Sequence, residues 1–266
     1  MKGQRVMNRI ARVALMCAAI VAISCSSAQD VAPTTTGPPT TTAPPSTTAS
    51  APPTTTAEPE TLRSGDLPAG TYMVTPFAPP GDEGPCMAPP QPGCSDSNAD
   101  DSIRVTFTVP DGWSGAPLRS IWLTTGQNSA PGGAGLIFNR GGWLHSDPCR
   151  NDAANPDIPI GPTVDDFANA LADHPLLEVT NPVDVTLSGY SGKYVDLQVP
   201  SDLDACNFYF VWEPALYAQG PSQRWHLWIL DVDGVRVVVE TSDYPETSAE
   251  DRAELQEIVD SIQIEP

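Results

Sequence analysis

Residues 31–60, VAPTTTGPPTTTAPPSTTASAPPTTTAEPE, limit what this 266-residue chain can fold into. The tract contains 11 threonines and eight prolines. It has almost no apolar side chains to bury and its prolines hold the backbone extended, so folding cannot offset the lost chain entropy. Such a tract spans ~3.1 Å per residue in polyproline II geometry. We therefore expect residues 25–60 to be a disordered linker, O-glycosylated or bare, and residues 61–266 to form a single folded domain.

The first 24 residues have the organisation of an export signal. Four basic residues precede the apolar run VALMCAAIVAIS, which is about a dozen residues long, whereas a membrane-spanning helix needs ~20. The basic residues are Lys2, Arg5, Arg9 and Arg12. We expect residues 1–24 to be a signal peptide that directs the chain out of the cytoplasm.

The end of this signal, Ala22-Ile23-Ser24-Cys25, resembles the lipobox of bacterial lipoproteins, with Ala22 where that family most often has leucine. The resemblance implies that Cys25 carries diacylglycerol and an N-linked acyl chain such as palmitate. Several chains, each contributing ~0.8 kcal/mol per buried CH₂, anchor a protein to a bilayer. The alternative is ordinary cleavage after Ser26-Ser27-Ala28, which leaves no anchor.

The charge of the chain disfavours two classes of partner. Because all four basic residues of the signal are removed, the chain after residue 24 has nine basic and 33 acidic residues, a formal charge of −24. Such an anionic surface repels phosphate backbones and anionic headgroups. We expect no nucleic-acid partner, and a membrane contact only through acylation of Cys25.

The remaining cysteines indicate disulfides. Cys17 leaves with the signal, so the folded domain retains four cysteines: Cys86, Cys94, Cys149 and Cys206. An even number in an exported domain is typical of two disulfides, which allow three connectivities. Of these we favour Cys86 with Cys94 and Cys149 with Cys206.

The apolar pattern from residue 61 onwards predicts an α+β domain. SIRVTFTVPDGW, LRSIWLTT, GAGLIFNR, LLEVTNPVDVTLSGYSGKYVDLQVP, NFYFVWEP and RWHLWILDVDGVRVVVETSDYP predict strands, the last a hairpin that turns at Asp233-Gly234. Thr163 predicts the start of one helix, and Thr247 or Ser248 that of a terminal helix. SIQIEP predicts a short closing strand, and residues 141–162 predict a long loop. We expect a central twisted antiparallel sheet flanked by two or more helices.

The terminal helix carries one apolar stripe. Leu255, Ile258, Val259 and Ile262 recur at helical spacing, so we expect them to face the core.

This order of elements resembles exported actinobacterial proteins of the PsbP/Mog1-like family, small lipoproteins among them. The likeness covers residues 100–266 and rests on VPDGW, SGYSGKYVDLQV, RWHLWILDVDGVRVVVET and SAEDRAELQEIVDSIQI. It implies a twisted antiparallel sheet between helices and a binding or accessory role. It brings no catalytic residues.

The sequence predicts no catalytic residue, no metal site and no cofactor. The chain has no CxxC pair, and its three histidines lack metal-ligand spacing. DSNADDSIRVTF, from Asp96, departs from a calcium loop at Asp101 and Phe107. GYSGK lacks the last glycine of G-x-S-x-G. We expect His226 to face solvent or to pack along the hairpin.

Aromatic residues are the candidates for ligand binding. Trp225 and Trp228 differ by an odd number of positions, so on one strand they face opposite sides of a sheet. Either both faces are covered and both side chains are core, or an exposed aromatic lines a binding surface. The candidate ligand-binding residues are Trp212, Tyr217, Trp225 and Trp228.

Together these patterns predict a lipid-anchored, extracytoplasmic binding or accessory protein of the cell envelope. It would carry a small apolar or glycan ligand or contact an envelope protein, and an envelope hydrolase is the alternative. Aromatic lining without converging ionisable groups would favour binding. A histidine within hydrogen-bond reach of a serine and a carboxylate would favour the hydrolase.

The lipobox generates the first prediction. Replacing Cys25 with alanine removes the acylated thiol, so we expect the protein to leave the detergent-rich phase in a phase-partitioning experiment. Cys17→Ala is the matched control because that cysteine lies within the signal. Unchanged partitioning of Cys25→Ala would remove the lipoprotein interpretation.

Overall fold

The structure, a computed structural model, describes residues 58–77, 102–116, 119–124, 129, 131–149, 157–206, 208–213 and 216–266. The predicted signal peptide, Cys25, residues 26–57 of the linker, Cys86 and Cys94 lie outside the described residues.

The described residues form 17 strands and two helices. The first nine strands are β1 Glu60–Thr61, β2 Gly65–Leu67, β3 Gly70–Val74, β4 Arg104–Val109, β5 Trp113–Ala116, β6 Ser120–Leu123, β7 Gly135–Asn139, β8 Trp143–Leu144 and β9 Ile158–Pro159. The other eight are β10 Glu178–Val179, β11 Val183–Leu187, β12 Tyr190–Gln198, β13 Phe210–Glu213, β14 Leu216–Tyr217, β15 Arg224–Val232, β16 Val235–Asp243 and β17 Gln263–Glu265. The helices are α1 Val164–Ala172 and α2 Ala249–Asp260. The predicted sheet-rich α+β character is confirmed.

A nine-stranded antiparallel sheet, here the central sheet, dominates the fold. Its order is β10-β12-β15-β16-β7-β6-β5-β2, and β11 pairs with β12 at its side. Its longest element is the β15–β16 hairpin, in register from Arg224↔Asp243 to Val232↔Val235. The hairpin turns at Asp233-Gly234, as predicted, with both residues at positive φ (51° and 87°).

Two four-stranded sheets lie over the central sheet. One has the order β1-β3-β4-β17 and is mixed, because β1 pairs with β3 in parallel. The other has the order β14-β13-β8-β9 and is antiparallel.

Both faces of the central sheet are buried. On one face Val237, Val239 and Leu230 form a core with α2 and the β1-β3-β4-β17 sheet. On the other face Val238 and Leu227 form a second core with α1 and the β14-β13-β8-β9 sheet. Apolar residues therefore follow one another along β16 instead of alternating with polar ones.

Two expectations do not match this arrangement. The central sheet was expected to be flanked by helices. Instead, each of its faces is covered by one helix together with a four-stranded sheet. The segment expected to be a long loop, residues 141–162, contains β8 and β9. Two-residue strands are too short to show a period, so pattern reading could not find them.

One of the two predicted disulfides is confirmed. Cys149 and Cys206 are bonded, with Cα atoms 4.9 Å apart and 57 positions apart in sequence. The bond joins the segment after β8 to the segment before β13. Closing a loop of this length stabilises a fold by roughly 4 kcal/mol in the chain-entropy account.

The predicted helix starts are also confirmed. The Thr163 side chain accepts a hydrogen bond from the Asp166 backbone N–H, and the Asp166 carboxylate accepts one from the Thr163 backbone N–H. Ser248 caps α2 by accepting from the Asp251 backbone N–H. Neither of the two described helices is long and apolar enough to cross a membrane.

The apolar stripe of the terminal helix generates the second prediction. Leu255, Ile258 and Val259 on α2 and Ile262, two residues after the helix ends, are all buried, as expected, and Ile258 is fully enclosed. Ile258→Ala removes apolar contacts and leaves a cavity, so we expect the free energy of unfolding to fall by about 2 to 5 kcal/mol.

Chemical denaturation measures this loss. The matched control is Glu257→Ala on the exposed side of the same turn, for which we expect a change within about 0.5 kcal/mol. Equal effects of the two substitutions would show that the helix does not pack on the core in solution.

Candidate ligand-binding site

A cavity of about 370 Å³ lies on the α1 side of the central sheet. We call it the aromatic pocket and define it by Trp122, Tyr217, Gln223, Trp225, Glu240 and Ser242. Its floor comes from β6, β7, β15 and β16, and Tyr217 reaches it from β14. Elements distant in the chain therefore meet at one cavity.

Strand register explains why these side chains point to the same face. Ser120, two residues before Trp122, pairs with Ile137, and Ile137 pairs with Glu240. Residues directly opposite in an antiparallel pair, and residues two apart along a strand, share one face of the sheet. Ser242 follows Glu240 by two residues and joins them on that face.

Glu240 is held by a buried chain of hydrogen bonds. Trp212 Nε1 donates to Asn139 Oδ1 at 3.2 Å, and Asn139 Nδ2 donates to Glu240 Oε2 at 3.2 Å. All three side chains are buried. Because an indole N–H can only donate, it settles which end of the Asn139 amide faces Glu240.

Burial favours the neutral form of the Glu240 carboxyl group. Burial raises the pKa of Glu240 well above its usual value of 4.5. The hydrogen bond from Asn139 and the charge of Arg119 act in the opposite direction but do not cancel the effect of burial. A neutral carboxyl group has one O–H to donate as well as an acceptor oxygen.

Aromatic side chains continue from the pocket onto the surface. Tyr217 is 40% exposed and packs edge-on against Phe208, which is 53% exposed, with ring centroids 5.9 Å apart. Phe210 lies 5.4 Å from Tyr217 and 5.6 Å from Phe208. We call Phe208, Phe210 and Tyr217 the aromatic rim.

The structure separates the four predicted ligand-binding residues. Trp212 and Trp225 are buried and pack edge-to-face at 5.5 Å, and Trp225 also lines the aromatic pocket. Tyr217 belongs to the rim of that pocket. Trp228 packs against the core on the opposite face of the sheet. Ligand binding by these residues stays a prediction, but all four cannot contact one ligand on one surface.

The opposite face of the central sheet carries a cluster of charged side chains. We call it the His226 cluster and define it by Tyr194, Asp196, Arg224, His226, Asp243 and Arg252. His226 Nδ1 lies 2.6 Å from Asp196 Oδ1, and Nε2 lies 3.1 Å from Asp243 Oδ2. Tyr194 donates to Asp196 at 2.5 Å, and Arg224 donates to Asp243.

Paired carboxylates hold His226 in its charged form. Burial by itself lowers the pKa of His226, but the hydrogen bonds to Asp196 and Asp243 outweigh it and raise the pKa to about 9. The hydrogen bond from His226 lowers the pKa of Asp196. His226 packs along the hairpin through Asp243 of β16, which was one of the two expected placements, and it also bridges to Asp196 of β12, which the sequence did not predict.

Register also explains what sequence reasoning missed here. The hairpin turn at Asp233-Gly234 places Thr241 opposite His226, and Asp243 therefore lies close to His226. The proximity of His226 and Asp243 could thus have been predicted from the position of the turn. The pairing Asp196↔His226 joins β12 to β15, which are separated by residues 199–223. No local pattern sets that register.

The described hydrogen-bond partners of His226 do not meet the criterion for a hydrolase. The described partners of His226 are Asp196, Asp243 and Tyr194, and none is a serine. Among the described residues that line the aromatic pocket, Glu240 is the one carboxyl group, whereas glycoside hydrolysis ordinarily uses two. The described residues contain no group of three or more side chains placed to hold a metal ion.

Comparison with models of protein families and with curated protein sequences finds no match to this chain.

The His226 cluster generates the third prediction. The pKa of His226 rises from 6.5 to about 9 on folding, so its contribution is complete below pH 6.5 and is lost as the pH rises through 9. We expect this contribution to be about 3 kcal/mol at its maximum.

The variant His226→Gln isolates the contribution of the His226 ion pairs to stability. The difference in unfolding free energy between the wild-type protein and the variant should be largest near pH 6 and should vanish above pH 9. An imidazole titration by NMR with a midpoint near 6.5 would contradict the ion-pair interpretation.

Proposed function

We propose that this chain is a lipid-anchored binding protein of the cell envelope, whose folded domain holds a small uncharged ligand in the aromatic pocket. The observation that carries the proposal is a 370 Å³ cavity with three aromatic side chains and a few polar groups. Ligand sites are typically concave, mainly apolar and equipped with a small number of placed polar groups.

The composition of the pocket favours an uncharged ligand with an apolar ring face, such as a sugar or another saturated ring. Trp122, Tyr217 and Trp225 offer aromatic surfaces on which such a ring can stack. Glu240, Gln223 and Ser242 are polar side chains that line the same cavity. No lysine or arginine is among the described residues that line the pocket, so no cationic side chain in its lining pairs with a ligand carboxylate or phosphate.

Anchoring and export complete the proposal. Acylation of Cys25 would hold the chain at the extracytoplasmic face of the plasma membrane, and the Thr/Pro tract would extend the domain away from the bilayer. The Cys149–Cys206 disulfide supports this location, since such bonds persist in oxidising compartments.

The resemblance to PsbP/Mog1-like proteins is part of the proposal and rests on element order. The described chain contains helix α1, the β11–β12 hairpin, the β15–β16 hairpin and helix α2 in the order that suggested the resemblance. A binding or accessory role is the function it implies.

The pocket generates the fourth prediction. We expect methyl β-D-glucoside, a neutral sugar, to bind and to perturb tryptophan fluorescence, and glucuronate, with the same ring and a carboxylate, to bind more weakly. Trp122→Ala removes one stacking surface and should weaken binding by about tenfold, or 1.4 kcal/mol.

The matched control is Trp143→Ala, since Trp143 is another half-buried strand tryptophan and is not among the residues that line the pocket. Ligand-observed NMR measures both affinities. Equal binding by Trp122→Ala and Trp143→Ala would count against the pocket as the binding site.

A further inference from the structure

Glu240 occupies an unusual place for an ionisable side chain. It lies on β16, between β15 and β7 in the middle of the central sheet, opposite Leu227 on one side and Ile137 on the other. It is almost fully buried and lines the aromatic pocket. An apolar side chain would fill this position without a desolvation cost, whereas a buried carboxyl group needs hydrogen-bond partners.

The hydrogen bonds around Glu240 distinguish the two oxygens of its protonated carboxyl group. Trp212 Nε1 can only donate, so Asn139 must turn its carbonyl oxygen to the indole and its amide N–H to Glu240. The carbonyl oxygen of a carboxylic acid is its stronger acceptor, so the bond from Asn139 favours Oε2 as the carbonyl oxygen. The hydroxyl proton is then on Oε1.

We propose that Glu240 donates this hydroxyl proton in a hydrogen bond to the bound ligand, and that the ligand presents an uncharged oxygen acceptor, such as a carbonyl, ether or hydroxyl oxygen, to the β16 side of the pocket. The inference rests on the proposed function, because it requires a ligand in the aromatic pocket. It identifies the Glu240 carboxyl group as the group that selects the ligand. In this arrangement Trp212 and Asn139 are positioning residues that act through Glu240.

The electrostatic surroundings support a neutral acceptor. Burial raises the pKa of Glu240 well above its usual value and so favours the protonated form that donation needs, although the hydrogen bond from Asn139 and the charge of Arg119 act in the opposite direction. Ionisation at high pH would remove the donor and place a negative charge beside the ligand oxygen. Binding through Glu240 should therefore weaken as the pH rises, and a ligand without an acceptor should not share this dependence.

Two isosteric probes separate this role from general pocket binding. Cyclohexanone carries an acceptor oxygen, and methylenecyclohexane has the same ring and shape without one. We expect the wild-type protein to prefer cyclohexanone by about tenfold, because an unpaired buried donor is costly. This preference should fall as the pH rises, and ligand-observed NMR at several pH values measures it without any substitution.

Two substitutions test the residue itself. Glu240→Gln keeps an acceptor for Asn139 and supplies an amide N–H donor, so it should keep the preference within about threefold and lose its pH dependence. Glu240→Leu removes the donor and should abolish the preference while methylenecyclohexane still binds. The infrared band of a protonated carboxyl group should be present in the wild-type protein and absent from Glu240→Gln.

The outcomes distinguish the two proposals. Binding of both probes to the wild-type protein without preference would overturn the role of Glu240 and leave the aromatic pocket standing as a site. A preference that Glu240→Leu retains would do the same. Failure of both probes to bind would overturn ligand binding in the pocket, and the role of Glu240 with it.

Discussion

The fold depends on burying the β15–β16 hairpin on both of its faces. Val237, Val238 and Val239 are consecutive and fully buried, which is possible only when layers cover both sides of the sheet. One helix and one four-stranded sheet provide each layer. The Cys149–Cys206 bond joins two segments of the layer that contains the β14-β13-β8-β9 sheet, close to the aromatic rim.

The two faces of the central sheet carry acidic side chains whose pKa values shift in opposite directions, Glu240 in the aromatic pocket and Asp243 in the His226 cluster. Glu240 points to one face and Asp243, three residues later, to the other. Burial outweighs the Asn139 hydrogen bond and the Arg119 charge and raises the pKa of Glu240. At Asp243, by contrast, burial is outweighed by the hydrogen bonds and charges of His226 and Arg224, which lower the pKa of Asp243, and this carboxylate also pairs with Arg252. The ion pairs of the His226 cluster suit the cross-linking of strands.

Local chemistry allowed much of the fold to be predicted. The Asp233-Gly234 turn, the Thr163 and Ser248 caps and the apolar stripe of α2 depend on residues a few positions apart, and all were found from sequence. The short strands β8, β9 and β14 were missed because two residues show no period. The hydrogen bond between Asn139 and Glu240 was also missed. No local pattern around an isolated acidic residue in an apolar strand predicts a partner 101 positions away.

The sequence by itself determined which segment can fold, where its longest hairpin turns and which aromatic residues are available for a ligand. Only the tertiary structure decided that Tyr217 and Trp225 share a cavity while Trp228 lies beneath the opposite layer. The physical reason is strand register: a side chain's face follows from the pairing of its strand, and pairings such as β16 with β7 or β12 with β15 are set by packing across the whole sheet.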